Sequence, residues 1–358
     1  MFLGSVCVKI QLALGGFFGV ELCSKKGEMA LKKEILKIFK KNIELLALVD
    51  KAVVYFREGR YDLALDMLAN MGDGITALAE RIYGDREYFA NVSTDSVAEM
   101  IEGILAARRD RDYVLLADLL DVQLGSFICN VQELIMKQED YFAFDEKRYS
   151  QAILKLDSKL ADSLTSVCGF EADDDEKERL RVNHSALLKD SLDPARLLEQ
   201  GYAVELTSSG FMTLAASDPE GKKLYLHSNG HVTLESFLLA KRWFTEGAGV
   251  YIIYGLGMGY HLSELVKLSP QSEFIVFESD INIMKLFCAF SGEEELLGKD
   301  NVSFVYDPEF VFLDRELSRF TGTEKFCIHF PSFKRISNSD AKKLMSIYIP
   351  WYNKVKEL

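Results

Sequence analysis

The sequence lacks paired cysteines, an excess of basic residues and a long apolar run. Its 6 cysteines are too far apart for a Cys-x-x-Cys pair, which argues against the common zinc and thiol-redox motifs. Acidic residues number 55 and basic residues 42, so the formal charge is −13 and general binding to nucleic acid is not expected. With 48% apolar and 27% charged residues over 358 positions, we predict a globular cytoplasmic protein of about two domains with no membrane span.

Residues 1–28 differ from the rest of the chain. The short apolar run Ile10–Val20 is typical of a signal peptide, but Glu21 stands where a cleavage site would lie. Met29 directly follows Lys25–Glu28, a phrase that a purine-rich ribosome-binding site yields when it is translated. We therefore expect Met29 to be the true start and the preceding residues to be a mis-assigned start or a disordered arm, with a signal or anchor segment and an ordered arm as the alternatives.

Residues 29–168 have the apolar spacing of an all-helical bundle with one core. Apolar side chains recur every three or four positions with polar side chains between them, and the longest such stretch is Tyr113–Gln138. The region contains no histidine and no set of residues that indicates catalysis. We therefore predict an all-α helical bundle domain without a functional site of its own.

An acidic segment at 169–200 marks the clearest boundary in the chain. Glu171–Glu178 is acidic and has no large apolar residue. Its consecutive side chains do not converge on one point, so a divalent-cation site is not expected there. We predict a solvated linker or the first turn of a connecting helix.

Residues 201–358 have the pattern of an α/β domain. Three short strands separated by turns predict a small antiparallel meander. Short apolar strands and amphipathic helices then alternate, which is typical of a Rossmann-like, doubly wound parallel sheet. The predicted parallel strands are Val250–Tyr254, Phe274–Phe277, Val302–Val305 and Phe326–Phe330.

The turn Gly255–Gly259 lies between a buried strand and the start of a helix, where open α/β sheets bind ligands. Glycines let backbone amides approach a ligand, and a carboxylate at the end of the next strand is placed to bind a ribose. The third spaced glycine of the dinucleotide fingerprint is missing, so S-adenosylmethionine or a nucleotide sugar is expected before NAD. The alternative is a tight turn that holds no ligand. The candidate cofactor-binding residues are Gly255, Leu256, Gly257, Met258, Gly259, Glu278 and Asp280.

Three histidines are candidates for the wall of this pocket. His227 at a strand end is expected to contact a ligand or to satisfy a backbone carbonyl, and His329 at the end of a late strand is a candidate pocket wall. His261, in the first helical turn after the glycines, is expected to face a phosphate or to lie at the surface as a cap. His227 and His231 are four residues apart, but glycine and asparagine between them favour a loop over a helix face. We predict no metal site and assign no catalytic residue.

The phrase Tyr254–His261, followed by Phe277–Asp280, resembles the Rossmann-like N-terminal domain of the motility accessory factor proteins, which are bacterial flagellin glycosyltransferases. Upstream, Gly210–Leu214 and Leu224–Ser228 follow the same order, so the resemblance covers about residues 201–350. It implies a role in flagellin glycosylation, with a CMP-linked nonulosonic acid as the donor and flagellin or a glycosyltransferase subunit as the partner.

One feature that this family carries in its transferase domain, a Gly-Gly-Pro-Ser turn, does not occur in this chain. We therefore expect a truncated member or a non-catalytic partner of a transferase. The first alternative is an S-adenosylmethionine-dependent methyltransferase that uses the glycine turn and Glu278, although an Asp/Asn-Pro-Pro-Tyr phrase is missing. The second alternative is a non-enzymatic scaffold with a degenerate Rossmann domain.

Overall fold

The computed structural model describes residues 25–139, 145–166, 174–189, 194–319 and 321–357. The prediction for residues 1–24 and the parts of the predicted linker at 169–173 and 190–193 lie outside these ranges. The chain divides into a helical unit, whose described residues are 25–139 and 207–211, and a second unit that contains the other described residues.

The helical unit consists of helices joined by short turns. Ser93 caps the fourth helix by accepting a hydrogen bond from the amide of Ser96, and Asp112 caps the fifth by accepting one from the amide of Leu115. The buried apolar residues between Ile35 and Ile135 form one core, as the spacing predicts. The helices are α1 (Lys25–Arg57), α2 (Tyr61–Asn70), α3 (Gly72–Gly84), α4 (Thr94–Asp110), α5 (Tyr113–Asp118), a π-helical turn (Leu119–Gly125) and α6 (Ser126–Gln138).

Within the described residues, one helical run, Tyr113–Gln138, has the length and apolar composition of a membrane span. A helix in the core of a water-soluble protein has the same properties, so a single run is weak support for a span. Along this run, side chains at three- and four-residue spacing are at most 1% exposed, which agrees with a helix that packs one face against a core, although Val114 and Val122 are exposed. The buried side chains are Leu116, Leu120, Leu124, Ile128, Val131 and Ile135.

The second unit contains two sheets. An antiparallel sheet has the strand order β1 (Tyr202–Leu206), β2 (Met212–Ser217), β3 (Lys223–Tyr225). The other sheet is fully parallel, with the order β6 (Val302–Tyr306), β5 (Glu273–Glu278), β4 (Val250–Tyr254), β7 (Glu324–Ile328). The structure thus confirms a mixed α/β architecture after an N-terminal helical region.

The parallel sheet forms because its strands are apolar on both faces. In β4, the side chains from Tyr251 to Tyr254 are at most 1% exposed, and Ile252 lies in register with Ile275 of β5 and Phe326 of β7. The helices of this unit are α7 (Glu146–Ser166), α8 (Asp174–Lys189), α9 (Pro194–Glu199), α10 (Val232–Trp243), α11 (Tyr260–Leu268), α12 (Ile281–Phe290), a 3₁₀ turn (Glu294–Gly298), α13 (Val311–Ser318), α14 (Phe330–Arg335) and α15 (Asn338–Glu357).

The division between the units differs from the predicted boundary at 168. The sequence predicts a helix where α7 lies, and the structure has one, but α7 packs within the second unit. There, Lys159 donates hydrogen bonds to the carbonyls of Lys299 and Val302. Leu164 of α7 belongs to the same core as Ile252. Periodicity shows that a helix has an apolar face, but it does not show which core covers that face. The predicted linker at 169–200 likewise contains the helices α8 and α9.

Asp307 stabilises the turn between β6 and α13. Its buried carboxylate accepts hydrogen bonds from the amides of Val311 at 2.9 Å and Leu313 at 2.8 Å. We expect Asp307→Ala to lower the free energy of unfolding by about 1–2 kcal/mol, because these helix-start amides lose their acceptor. Urea denaturation measures the change. The exposed Asp300→Ala is the matched control, and equal stability of the two variants would contradict the capping role.

Candidate functional site

The glycine turn, Gly255–Gly259, connects β4 to α11 at the carboxyl edge of the parallel sheet. Its three glycines have φ values of +97°, +51° and +75°. Residues with a side chain rarely adopt this left-handed region, so the backbone path requires glycine at these positions. The sequence pattern therefore follows directly from the shape of the turn.

Side chains of the same protein surround the glycine turn closely. A β-carbon on Gly255 would lie 2.5 Å from the β-carbon of Ser332, and one on Gly257 would lie 2.5 Å from Nε2 of His227. A β-carbon on Gly259 would lie 2.6 Å from the ring of Phe287. The space that glycine leaves open is thus filled by the protein itself, where the sequence predicts a hollow for a ligand.

Glu278 lies at the end of β5, next to the glycine turn. Its Oε2 accepts a hydrogen bond from the amide of Leu256 at 3.0 Å, and its Oε1 accepts from the amides of Ser279 at 2.9 Å and Asp280 at 3.0 Å. The side chain is 2% exposed. Burial raises the pKa of the Glu278 carboxyl to about 7, although Arg335 and these amides act in the opposite direction. The carboxylate therefore holds backbone amides at the position where a ribose is predicted.

Asp280 has a structural role at the start of α12. Its Oδ1 accepts a hydrogen bond from the amide of Asn282 at 2.9 Å, which is an N-cap. Its Oδ2 forms an ion pair with Arg335 at 2.6 Å and accepts a hydrogen bond from the hydroxyl of Tyr202. Both carboxylate oxygens therefore bind groups of the protein.

His227 binds another backbone amide of the glycine turn, that of Met258. Its Nε2 accepts a hydrogen bond from the amide of Met258 at 2.8 Å, and both residues are buried. The backbone carbonyl of His227 accepts a hydrogen bond from Thr213 of β2, which fixes the chain after β3. Within the turn, Leu256 and Met258 thus both donate their amides to side chains of this protein.

Three histidines from different elements meet beside the glycine turn, and we call them the histidine cluster: His227 after β3, His261 in the first turn of α11 and His329 after β7. They are 3%, 1% and 1% exposed. Their ring centroids are 4.4 Å apart for His261 and His329, 5.2 Å for His227 and His329, and 5.7 Å for His227 and His261. One ring nitrogen of each lies within 4.8 Å of the other two, which makes the cluster a candidate metal centre.

The hydrogen bonds of the cluster indicate neutral imidazoles. Nε2 of His261 lies 3.2 Å from the carbonyl oxygen of Gly255 and donates to it, and in the neutral ring the buried Nδ1 then carries a lone pair that has no hydrogen-bond partner. Nδ1 of His329 lies 2.8 Å from the hydroxyl of Ser332. Burial lowers the pKa of all three imidazoles below their ordinary value, to about 4 for His261.

The structure brings together all the predicted site residues, but in roles that the sequence does not show. The three predicted wall histidines contact each other and the glycine turn, whereas His231 is exposed at the start of α10. Spacing along the chain could not reveal the cluster, because its members lie on separate elements. The sequence does carry one signal for the cluster: His329 follows a parallel strand, and His261 follows the glycine turn. Because the carboxyl ends of parallel strands share one edge of the sheet, these two residues are expected to lie close together.

Comparison of the chain with models of protein families, with curated proteins and with solved structures finds no match.

Gly257→Ala tests the close packing of the glycine turn. We expect a decrease of about 2–4 kcal/mol in the free energy of unfolding, because the new methyl group meets Nε2 of His227 and the left-handed backbone is strained. Chemical denaturation measures the change. Gly249→Ala is the matched control, since a β-carbon there meets nothing within 4 Å, and equal stability of the two variants would show that the turn is loosely packed.

Glu278→Gln tests the buried carboxyl through the pH dependence of stability. A carboxyl whose pKa is raised from 4.5 to about 7 keeps its proton in the folded protein while the unfolded chain has released it. Its contribution to the free energy of unfolding therefore falls as the pH rises from 4.5 to 7, by about 3 kcal/mol.

We expect the wild type to lose stability relative to Glu278→Gln as the pH rises from 4.5 to 7. Denaturation at several pH values in this interval measures the difference in unfolding free energy. Glu273→Gln, at the exposed start of β5, is the control. A difference that does not change with pH would rule out the raised pKa.

Proposed function

We propose that the second unit is a Rossmann-like domain that serves as a non-catalytic accessory component in bacterial flagellin glycosylation. The observation that carries the non-catalytic role is that the amides of Leu256 and Met258 are hydrogen-bonded to Glu278 and His227. The resemblance of Tyr254–His261 and Phe277–Asp280 to the motility accessory factor proteins supports the process in which it acts.

The strand order supports the Rossmann-like assignment. The chain enters the parallel sheet at β4, continues outward through β5 to β6 and returns to β7 on the other side of β4. A topological switch point therefore lies between β4 and β7, next to the glycine turn. Helices α11, α12 and α13 follow β4, β5 and β6, as in a doubly wound fold.

The occupied amides support an accessory role. A phosphate or ribose is bound in such folds by free backbone donors and by a carboxylate that faces the ligand. Here, a ligand would have to replace two hydrogen bonds of the turn, and the carboxylate of Glu278 is 2% exposed. Each bond that is broken without replacement costs about 1–3 kcal/mol in a buried site. The closed arrangement suits a rigid domain that presents its surface to a partner.

A second candidate function is binding of S-adenosylmethionine or a nucleotide sugar. The position of Glu278, at the end of β5 and beside the glycine turn, favours it. This function requires His227 to leave the amide of Met258 and Ser332 to leave the face of Gly255.

Calorimetric titration separates the two candidates. The purified chain is titrated with a CMP-linked nonulosonic acid, S-adenosylmethionine and S-adenosylhomocysteine. The variant His227→Ala, which frees the amide of Met258, is titrated with the same ligands. We expect no binding tighter than about 1 mM by the wild type. Binding of the CMP-sugar would contradict the non-catalytic role, and binding of S-adenosylmethionine would favour methyl transfer.

The role in glycosylation is tested separately in the bacterium that carries the gene. We expect deletion of the gene to lower the intact mass of flagellin by the mass of its sugars, and expression of the wild-type chain to restore that mass. Unchanged flagellin mass after deletion would contradict the role, whatever the calorimetric result.

A further inference from the structure

We propose that His227, His261 and His329 together bind one divalent transition-metal ion of the class that prefers imidazole, with Zn²⁺ as the first candidate. All three ligands are buried, and the ion would join the chain after β3, the start of α11 and the chain after β7. The ion would compete with the amide of Met258 for the lone pair of His227, a contact on which the proposed function also rests.

The dimensions of the histidine cluster suit such an ion. Imidazole nitrogens that bind one tetrahedral Zn²⁺ at about 2.0–2.1 Å lie about 3.4 Å apart, and their ring centroids lie about 5 Å apart. In the cluster, the nitrogens lie within 4.8 Å of one another and the centroids are separated by 4.4, 5.2 and 5.7 Å. The rings of His261 and His329 are stacked with their planes 9° apart, so ion binding requires the rings to turn until their nitrogens point at one ion.

The hydrogen bonds around His261 provide an independent observation. Its Nε2 donates to the carbonyl of Gly255, and its buried Nδ1 has no hydrogen-bond partner. A lone pair that is buried without a partner costs about 1–3 kcal/mol, and a metal ion is a group that would satisfy it. A metal-binding histidine commonly donates its other ring N–H to a backbone carbonyl, which is the arrangement seen here.

His329 shows a related arrangement. The backbone carbonyl of Leu226 acts to raise the pKa of its ring, against the larger effect of burial, and Nδ1 lies 2.8 Å from the hydroxyl of Ser332. A serine hydroxyl can turn away and give its place to an ion. Because burial also keeps the imidazoles neutral near pH 7, an ion can bind the lone pair of His261 without the loss of a proton. At His227 the ion would replace the hydrogen bond from the amide of Met258.

The ligand set indicates which metals are expected. Three imidazoles suit Zn²⁺, Ni²⁺ or Cu²⁺, whereas Mg²⁺ and Ca²⁺ prefer oxygen ligands. Three protein ligands leave a fourth tetrahedral position for a water molecule. We therefore expect Zn²⁺ to bind and Mg²⁺ to have no effect.

The first test uses the wild-type chain, purified without a histidine tag and dialysed after exposure to Zn²⁺. We expect one zinc ion per chain by inductively coupled plasma mass spectrometry and a higher melting temperature with Zn²⁺ than with Mg²⁺. Loading with Co²⁺ should give the visible absorption of a tetrahedral site, and X-ray absorption should show imidazole ligands. A chain that stays metal-free, or an ion with sulfur ligands, would overturn the proposal.

The second test compares His261→Gln with the matched control His231→Gln, which alters an exposed histidine. Glutamine at position 261 keeps an N–H that can donate to the carbonyl of Gly255 but removes the imidazole ligand. We expect the zinc content to fall from one ion per chain to near zero in His261→Gln and to stay at one in His231→Gln. Retention of the ion by His261→Gln, or its loss from the control, would overturn the assignment. If His261→Gln does not fold, the X-ray absorption of the wild type decides.

Discussion

The carboxyl edge of the parallel sheet depends on two hydrogen bonds to the backbone of the glycine turn. Glu278 accepts from the amide of Leu256, and His227 accepts from the amide of Met258. A turn that leaves β4 with three left-handed glycines exposes its amides in a buried region, and each buried amide needs an acceptor. The two side chains supply these acceptors, and they tie β5 and the chain after β3 to the start of α11.

Charged side chains also lie at this edge of the sheet, and they affect the ionisation of Glu278. Asp280 and Arg335 form a partly buried ion pair close to Glu278, and this pair joins the start of α12 to the end of α14. The charge on Arg335 favours the ionised form of Glu278, while burial disfavours it, and burial has the larger effect. A carboxyl that titrates near neutral pH is in this case a consequence of holding backbone amides out of water.

The histidine cluster results from topology in the same way. β7 lies beside β4 in the sheet, so the residue that follows β7 reaches the turn that follows β4. The amide of His329 continues the pairing of these strands by donating to the carbonyl of Tyr254 at 2.8 Å. The imidazoles of His261 and His329 are thus stacked on each other, and His227 joins them from the chain that follows β3.

Much of the fold was predictable because it is written in local patterns. The apolar runs of β4 and β5, the glycines at 255, 257 and 259, and the helical spacing of the N-terminal region each depend on residues close together in the chain. The position of Glu278 beside the glycine turn also follows from the order of strands. Local pattern could not show that α7 packs in the second unit, because an apolar face does not identify its partner.

What the residues of the glycine turn do was decided only by long-range packing. The pattern of glycines and one carboxylate is the same whether the amides face a ligand or a side chain of the protein. The choice depends on His227 and Ser332, which lie far away in sequence and are brought to the turn by the pairing of β2 with β3 and of β4 with β7. Local sequence therefore sets the path of the backbone, and the tertiary contacts determine what its amides bind.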